Sequence, residues 1–277
     1  MSNVPFPGDT YVTTGRTEGS AICRALKRST FWFYVNHLAV VLQARHWALR
    51  DVYGYDRWIH SSLRILRNVE RAGGILHIRG LDSLRSLKPP VVFIGNHMST
   101  AETQLLPCMI APFVPVTFIV KQSLVTMPLF GPIMRSRDPI TVGRVNPRED
   151  MQKVLTEGQK KLESGVSIIV FPQSTRRLRF LPKQFNSLGV KLAKRAGVPV
   201  VPFALKTDFW RNGKLVKDLG PLDRTKELIF EFGDPIEIRG NGKEEHRMVM
   251  DFVMSHLKKW GGEVEELDGD GSTRVEG

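Results

Sequence analysis

From Gly73 onward the chain consists of short apolar runs rich in β-branched and aromatic residues, separated by longer stretches with helical periodicity. The runs lie at residues 75–78, 91–94, 116–120, 167–171, 198–203 and 228–232. Strands that alternate with helices imply an α/β domain, with the strands in a sheet and the connecting helices packed on it. One connecting helix is well punctuated. Asn146 suits the N-cap, Pro147 the first turn and Glu149 a capping box, while Gly165 follows the end. A last amphipathic helix is expected over residues 244–260, with Val249 and Val253 on its buried face.

The N-terminal part reads differently. Residues 20–71 carry no strand signal and predict about two helices with a turn near Gly54. In the second, Trp58, Ile59, Leu63, Ile65, Leu66 and Val69 share one face, and Arg57, His60, Arg64, Arg67 and Arg71 gather opposite. A basic amphipathic helix can lie in a membrane interface, and the same pattern fits a surface helix packed on a core. The neighbouring Phe31, Trp32, Phe33, Tyr34 and Trp47 favour the interface. The apolar run 31–42 is broken by Asn36 and His37 and is shorter than the ~20 residues a spanning helix needs. Residues 1–19, with Pro5, Pro7, Gly8 and Asp9, read as a loose tail without a secretory signal, and the acidic, Gly-rich residues 262–277 as a disordered one.

The formal net charge of +12 favours anionic partners such as phosphate, anionic lipid, an acidic carrier or nucleic acid. Nucleic acid finds no binding motif beside the charge. Cys23 and Cys108 stand far apart, without further ligands at metal spacing, so neither a disulfide framework nor a metal site is suggested.

Reactive groups in α/β sheets are displayed at the carboxyl ends of strands. The apolar run 91–94 ends in Gly95-Asn96-His97, with Glu102 five positions after the histidine. Five is not a same-face helical spacing, so a dyad needs His97 in the turn and Glu102 reaching back from the helix that follows. The carboxylate would then fix one imidazole nitrogen as N–H and leave the other to take a proton from a hydroxyl. A lone histidine in such a turn also serves as a cap or core residue. A second run, 167–171, leads into Pro172-Gln173-Ser174-Thr175-Arg176-Arg177, a polar loop suited to phosphate because the guanidinium fork matches its oxygens. Lys121 and Arg144 follow two further apolar runs, and each reads equally as a solvated surface charge.

These segments resemble the glycerolipid acyltransferase superfamily, and within it the 1-acylglycerol-3-phosphate (lysophosphatidate) acyltransferases, over residues 73–238. Four blocks stand in the family's order: Asn96, His97 and Glu102; residues 140–144, ending in Arg144; residues 171–176, against the family's Phe-Pro-Glu-Gly-Thr-Arg; and residues 198–202. Glu102 stands where the family usually has Asp, Gln173 where it has Glu, Ser174 where it has Gly, and Gly143 where many relatives carry Asp.

The resemblance implies a glycerol-3-phosphate acyltransferase-like fold, a mixed sheet flanked by helices with an N-terminal amphipathic helical appendage. With the residue pattern along the chain, this gives a tail (1–19), a helical membrane-interface segment (20–71), an acyltransferase domain (72–261) and a tail (262–277). It implies direct transfer of a fatty acyl group from acyl-CoA or acyl carrier protein to a lysophospholipid hydroxyl, without cofactor or metal, on the cytoplasmic face of the cell membrane. His97 and Glu102 would be catalytic, and Lys121, Arg144, Gln173, Ser174, Thr175 and Arg176 would bind substrate. No Gly-x-Ser-x-Gly elbow is present, which disfavours a serine hydrolase. The rivals are a different lysolipid acceptor, such as a lyso-amino-lipid, and a non-catalytic module that binds anionic membrane through Arg57, Arg64, Arg67 and Arg71.

Overall fold

A computed structural model describes residues 5–14, 29–213 and 216–266. In chain order its elements are β1 (Tyr11–Val12), α1 (Thr30–Ala48), α2 (Tyr55–Arg71), β2 (Leu76–Arg79), α3 (Leu81–Arg85), β3 (Val92–Gly95), α4 (Ala101–Ile110), β4 (Val116–Lys121), α5 (Gln122–Thr126), α6 (Gly131–Arg135), β5 (Ile140–Val142), α7 (Pro147–Glu163), β6 (Ser167–Val170), α8 (Leu188–Ala196), β7 (Val200–Lys206), β8 (Leu228–Phe232) and α9 (Lys243–Lys259). The eight strands form one mixed sheet in the order β1-β2-β8-β7-β3-β6-β4-β5. From β7 to β5 the neighbours are parallel, whereas β8 runs antiparallel to β7.

Parallel strands are covered on both faces and read as continuous apolar runs. Accordingly every residue of β3, β6 and β7 is buried. The loops after β3, β6, β4 and β5 therefore emerge at one end of the sheet, with β3 and β6 as central neighbours. The expected α7 cap is present: Asn146 accepts from the N–H groups of Arg148 and Glu149, and Gly165 follows at φ 84°.

β3 and β7 meet closely at Gly95, which pairs with Phe203. A Cβ at Gly95 would lie 2.4 Å from the Phe203 carbonyl oxygen and 2.3 Å from its ring. Backbone cannot yield there as a flexible side-chain tip can. Gly95→Ala is expected to cost at least about 2 kcal/mol of stability, read as a lower denaturant midpoint at unchanged slope.

Three sequence expectations need correction. Residues 5–14, placed in a loose tail, contain β1, which pairs with β2, and bury Phe6; a two-residue strand has too little periodicity to show. Residues 263–265, placed in the second tail, pair with Phe180, whose N–H donates to the Glu263 carbonyl at 2.8 Å while the Glu265 N–H donates back at 2.9 Å. Residues 1–4 and 15–19 of the first tail and 267–277 of the second lie outside the described residues, as do residues 20–28 of the helical segment.

The helix α2 departs from its expected place at a membrane interface. Its apolar residues Trp58, Ile65, Leu66 and Val69 are buried, and it packs on α1 and α4. Its face belongs to the core, because a helical wheel cannot tell protein from lipid as the apolar neighbour. Exposed apolar residues line one side of α1 instead: Phe31, Val35, Leu38 and Leu42, with Leu49 just beyond its end. These recur at helical spacing. The opposite side of α1, with Phe33, Val40, Val41 and Ala44, is buried.

Candidate active site

The loop after β3 is pinned before it reaches His97. Asn96 is buried, and its side-chain amide donates to the Leu205 carbonyl at 2.7 Å while its oxygen accepts from the Leu205 N–H at 2.9 Å. This clamps the turn to the end of β7. His97 follows, and α4 begins four residues later, so Glu102 stands in its first turn and reaches back. His97 Nδ1 and Glu102 Oε1 are 2.9 Å apart.

Glu102 is fully buried. Its Oε1 also accepts from the N–H groups of Met98 at 2.5 Å and Ser99 at 2.7 Å, and its Oε2 from the hydroxyls of Ser99 at 3.0 Å and Thr207 at 2.7 Å. Burial alone would raise its pKa; the bonds from His97, Thr207 and Ser99 outweigh that and hold the carboxyl below the ordinary glutamate range. The carboxylate is thus an ionised anchor with five donors. With Nδ1 engaged, Nε2 is the imidazole nitrogen left for a substrate. The ring stacks on Phe171 at 4.3 Å between centroids and 19° between planes.

The loop after β6 interlocks with the His97 turn. The His97 N–H donates to Gln173 Oε1 at 3.4 Å, and the Arg177 N–H donates to the His97 carbonyl at 2.9 Å. Gln173 is buried, and its side-chain oxygen supports the His97 main chain. Ser174 has φ 57°, in the left-handed region that a glycine enters without strain. The backbone bend therefore persists here with a side chain on it. Thr175 is half-buried, and its N–H donates to the Gln173 carbonyl at 2.7 Å. Arg176 donates to Asp218 at 2.5 Å. Arg176, Arg177, Leu178, Arg179, Leu181 and Asn212 line a groove of about 450 Å³, and Asn212 reaches the dyad turn by donating to the Met98 carbonyl at 3.2 Å.

His97, Glu102, Gln173, Ser174, Thr175 and Arg176 thus come from two adjoining loops. Lys121 and Arg144 share the same sheet end, since Lys121 pairs with Val142. They stand two and three strands from β3, roughly 10 and 14 Å at the usual strand spacing, and both are exposed. Sequence reasoning missed Thr207, Asp218 and Asn212. Each reaches the catalytic turn across more than a hundred residues of chain, and none sits in a motif. Cys108 is fully buried, and burial pushes its thiol up to about 12, away from nucleophilic use.

Residues 75–206 match the family model described as Acyltransferase. A 1-acyl-sn-glycerol-3-phosphate acyltransferase of Pseudomonas aeruginosa is 30% identical over 149 residues, covering 54% of this chain and 55% of that protein. One of Arabidopsis chloroplasts is 28% identical and covers 47% of this chain and 35% of its own length. The chain therefore spans about half the length, or less, of these relatives. One from Limnanthes douglasii is 29% identical and covers 76% of this chain and 79% of that protein. The crystal structure of the 1-acyl-sn-glycerophosphate acyltransferase from Thermotoga maritima superposes with a TM-score of 0.61 at 20% identity, over 86% of this chain and 96% of that one. That likeness shows the fold, including the mixed sheet flanked by helices.

Proposed function

We propose that this chain, which carries an acyltransferase-family domain over residues 75–206, moves a fatty acyl group from an acyl thioester to the free hydroxyl of 1-acylglycerol-3-phosphate, giving phosphatidate. The observation that carries the reading is the His97–Glu102 pair: a fully buried, ionised carboxylate fixing Nδ1, with Nε2 at the carboxyl end of the central strands. Nε2 takes the proton of the acceptor hydroxyl as its oxygen attacks the thioester carbonyl. Glu102 stabilises the imidazolium. The tetrahedral intermediate collapses, the carbon–sulfur bond breaks, and the proton passes from His97 to the leaving thiolate. No acyl-enzyme is needed. Arg176, with Lys121 and Arg144 farther along the sheet end, attracts the acceptor phosphate and converts binding into orientation. Acyl-CoA and acyl carrier protein both present the thioester this requires.

The reading places the enzyme on a membrane surface, at the cytoplasmic face, where anionic lipid attracts a chain of net charge +12. No described helix is long and apolar enough to cross a membrane. The exposed stripe of α1 supports interfacial docking, with Phe31, Trp32, Val35, Leu38 and Leu42 open to the surroundings. Replacing Trp32, Leu38 and Leu42 together by serine is expected to weaken sedimentation with anionic vesicles about a hundredfold or more, since each is about half exposed and so has about half of the roughly 1.5–3 kcal/mol of full withdrawal from water left to gain. Unchanged sedimentation would remove α1 from the docking surface.

Gln173 and Ser174 motivate a second reading, in which the chemistry is retained and another lysolipid is the acceptor. A panel of lysophosphatidate, a zwitterionic lysophospholipid and a lyso-amino-lipid, each supplied with an acyl thioester and analysed by product mass, separates the two. Preference for lysophosphatidate is expected. Acylation of another acceptor alone would reassign the substrate and keep the mechanism.

A further inference from the structure

Arg176 is not an open anion site in this fold. Its guanidinium donates to Asp218 Oδ1 at 2.5 Å, and the hydroxyl of Thr100 donates to the same oxygen at 2.7 Å. Asp218 comes from the segment between β7 and β8, so it ties the Arg176 loop to the turn that carries His97. The groups that face it are Arg176 from the loop after β6, Thr100 from the turn before α4, and His37 and Tyr34 from α1.

Neither aromatic partner neutralises it. Burial among apolar rings holds His37 at about 4, so it is uncharged at neutral pH. Tyr34 is pushed up to about 12, burial being the main cause. Burial likewise opposes the charge on Asp218, but the Thr100 and Arg176 contacts outweigh it and hold the carboxyl below its ordinary range. The pair is therefore ionised, with a net charge of zero where an acceptor phosphate would look for a cation. The arginine and aspartate side chains remain 21% and 37% exposed, so a solute can reach the contact.

Resting on the reading that Arg176 serves the acceptor head group, we propose that Asp218 is a specificity-determining residue: its carboxylate occupies Arg176 as an internal counter-anion and weakens the binding of phosphate-bearing acceptors. A phosphate must displace or share Arg176 with a carboxylate already in place. The apparent affinity falls by the fraction of time Arg176 is free. Lysolipids without an anionic group at that position do not compete and are unaffected. With Gln173 supplying no charge to this loop, Asp218 is the carboxylate that touches Arg176 among the described residues.

Asp218→Asn removes the charge and keeps an oxygen for Thr100. Binding of sn-glycerol 3-phosphate to the full chain in detergent, followed by calorimetry, is expected to tighten about tenfold, equivalent to about 1.4 kcal/mol. The KM for lysophosphatidate should fall in parallel, with kcat changed less than about twofold. The gain should vanish in an Arg176→Ala background and be absent with a monoacylglycerol, which carries no phosphate. Asp218→Ser provides a second uncharged variant and should shift binding in the same direction. Thr100→Val, which leaves the carboxylate on Arg176, should not tighten binding.

Unchanged or weaker glycerol 3-phosphate binding in both Asp218 variants would overturn the proposal. So would a gain that persists without Arg176, or an equal gain in Thr100→Val, since either would make Asp218 a scaffold for its loop. Binding is read without turnover. Failure to find any acyl product would therefore count against the transferase reading while leaving this test intact.

Discussion

His97→Ala is expected to lower the turnover number for acyl transfer by about 10²–10⁴-fold, the range that a positioned general base supplies. The KM for lysophosphatidate should stay close to that of the unmodified chain, because the phosphate contacts are made elsewhere. The fold should survive. His97 is 13% exposed at its side chain, and the main-chain bonds that lock its turn, from His97 N–H to Gln173 and from Arg177 N–H to the His97 carbonyl, do not involve the imidazole. Removing the ring does withdraw one donor from Glu102, but four others remain. Steady-state kinetics with circular dichroism alongside checks both halves. A variant that loses activity only because KM rises would point to His97 as a binding residue.

Glu102→Gln is expected to combine a comparable loss of turnover with a loss of stability, which separates it from the histidine variant. The carboxylate accepts from all five of its partners. An amide retains one accepting oxygen and turns an N–H₂ group towards donors that then have no acceptor. Leaving buried donors unmatched costs about 1–3 kcal/mol each, so a total of roughly 2–4 kcal/mol is expected after local rearrangement. The loss of turnover, about 10²–10⁴-fold, follows because the neutral amide does not stabilise the imidazolium and its single accepting oxygen, shared among several donors, no longer holds Nδ1 firmly as the N–H.

The pH dependence carries the same signature. The folded carboxyl is held below its ordinary value of 4.5. Its stabilising contribution is therefore complete above that value and is lost as pH falls through the lower folded value. Denaturant midpoints measured on descending into the acid range should drop more steeply for the unmodified chain than for Glu102→Gln. Equal slopes would mean that Glu102 is not the depressed group.

Much of this site is legible in the sequence because its parts are local. The apolar runs that become β3 and β6, the glycine and asparagine that end β3, and the spacing from His97 to Glu102 all lie within a few residues of the chemistry they position. The boundaries of the runs are off by one or two residues where buried strands fray into turns, as at the start of β7, expected at 198 and found at Val200.

What the sequence hides is set by tertiary contact. Thr207 completes the carboxylate's shell, yet it is a lone hydroxyl beyond the end of β7, separated from Glu102 by 105 residues. Asp218 sits in a loop without regular structure, and only the fold reveals that it meets Arg176 and Thr100. The N-terminal helices show the opposite difficulty. Both carry apolar residues at helical spacing, and hydropathy alone assigns either to the bilayer. Packing decides: the apolar face of α2 rests on α4 within the core, whereas α1 keeps Phe31, Leu38 and Leu42 outside it.

The proposed mechanism delivers the acyl group to a lipid hydroxyl and not to water. Its most direct test is the stoichiometry of thiol released against diacyl lipid formed when the purified chain receives an acyl thioester and lysophosphatidate in mixed micelles. The account predicts one phosphatidate for each thiol, with thiol release falling towards the uncatalysed rate when the acceptor is omitted. Thiol release that continues at the same rate without acceptor, or without diacyl product, would make this a thioester hydrolase and contradict the account.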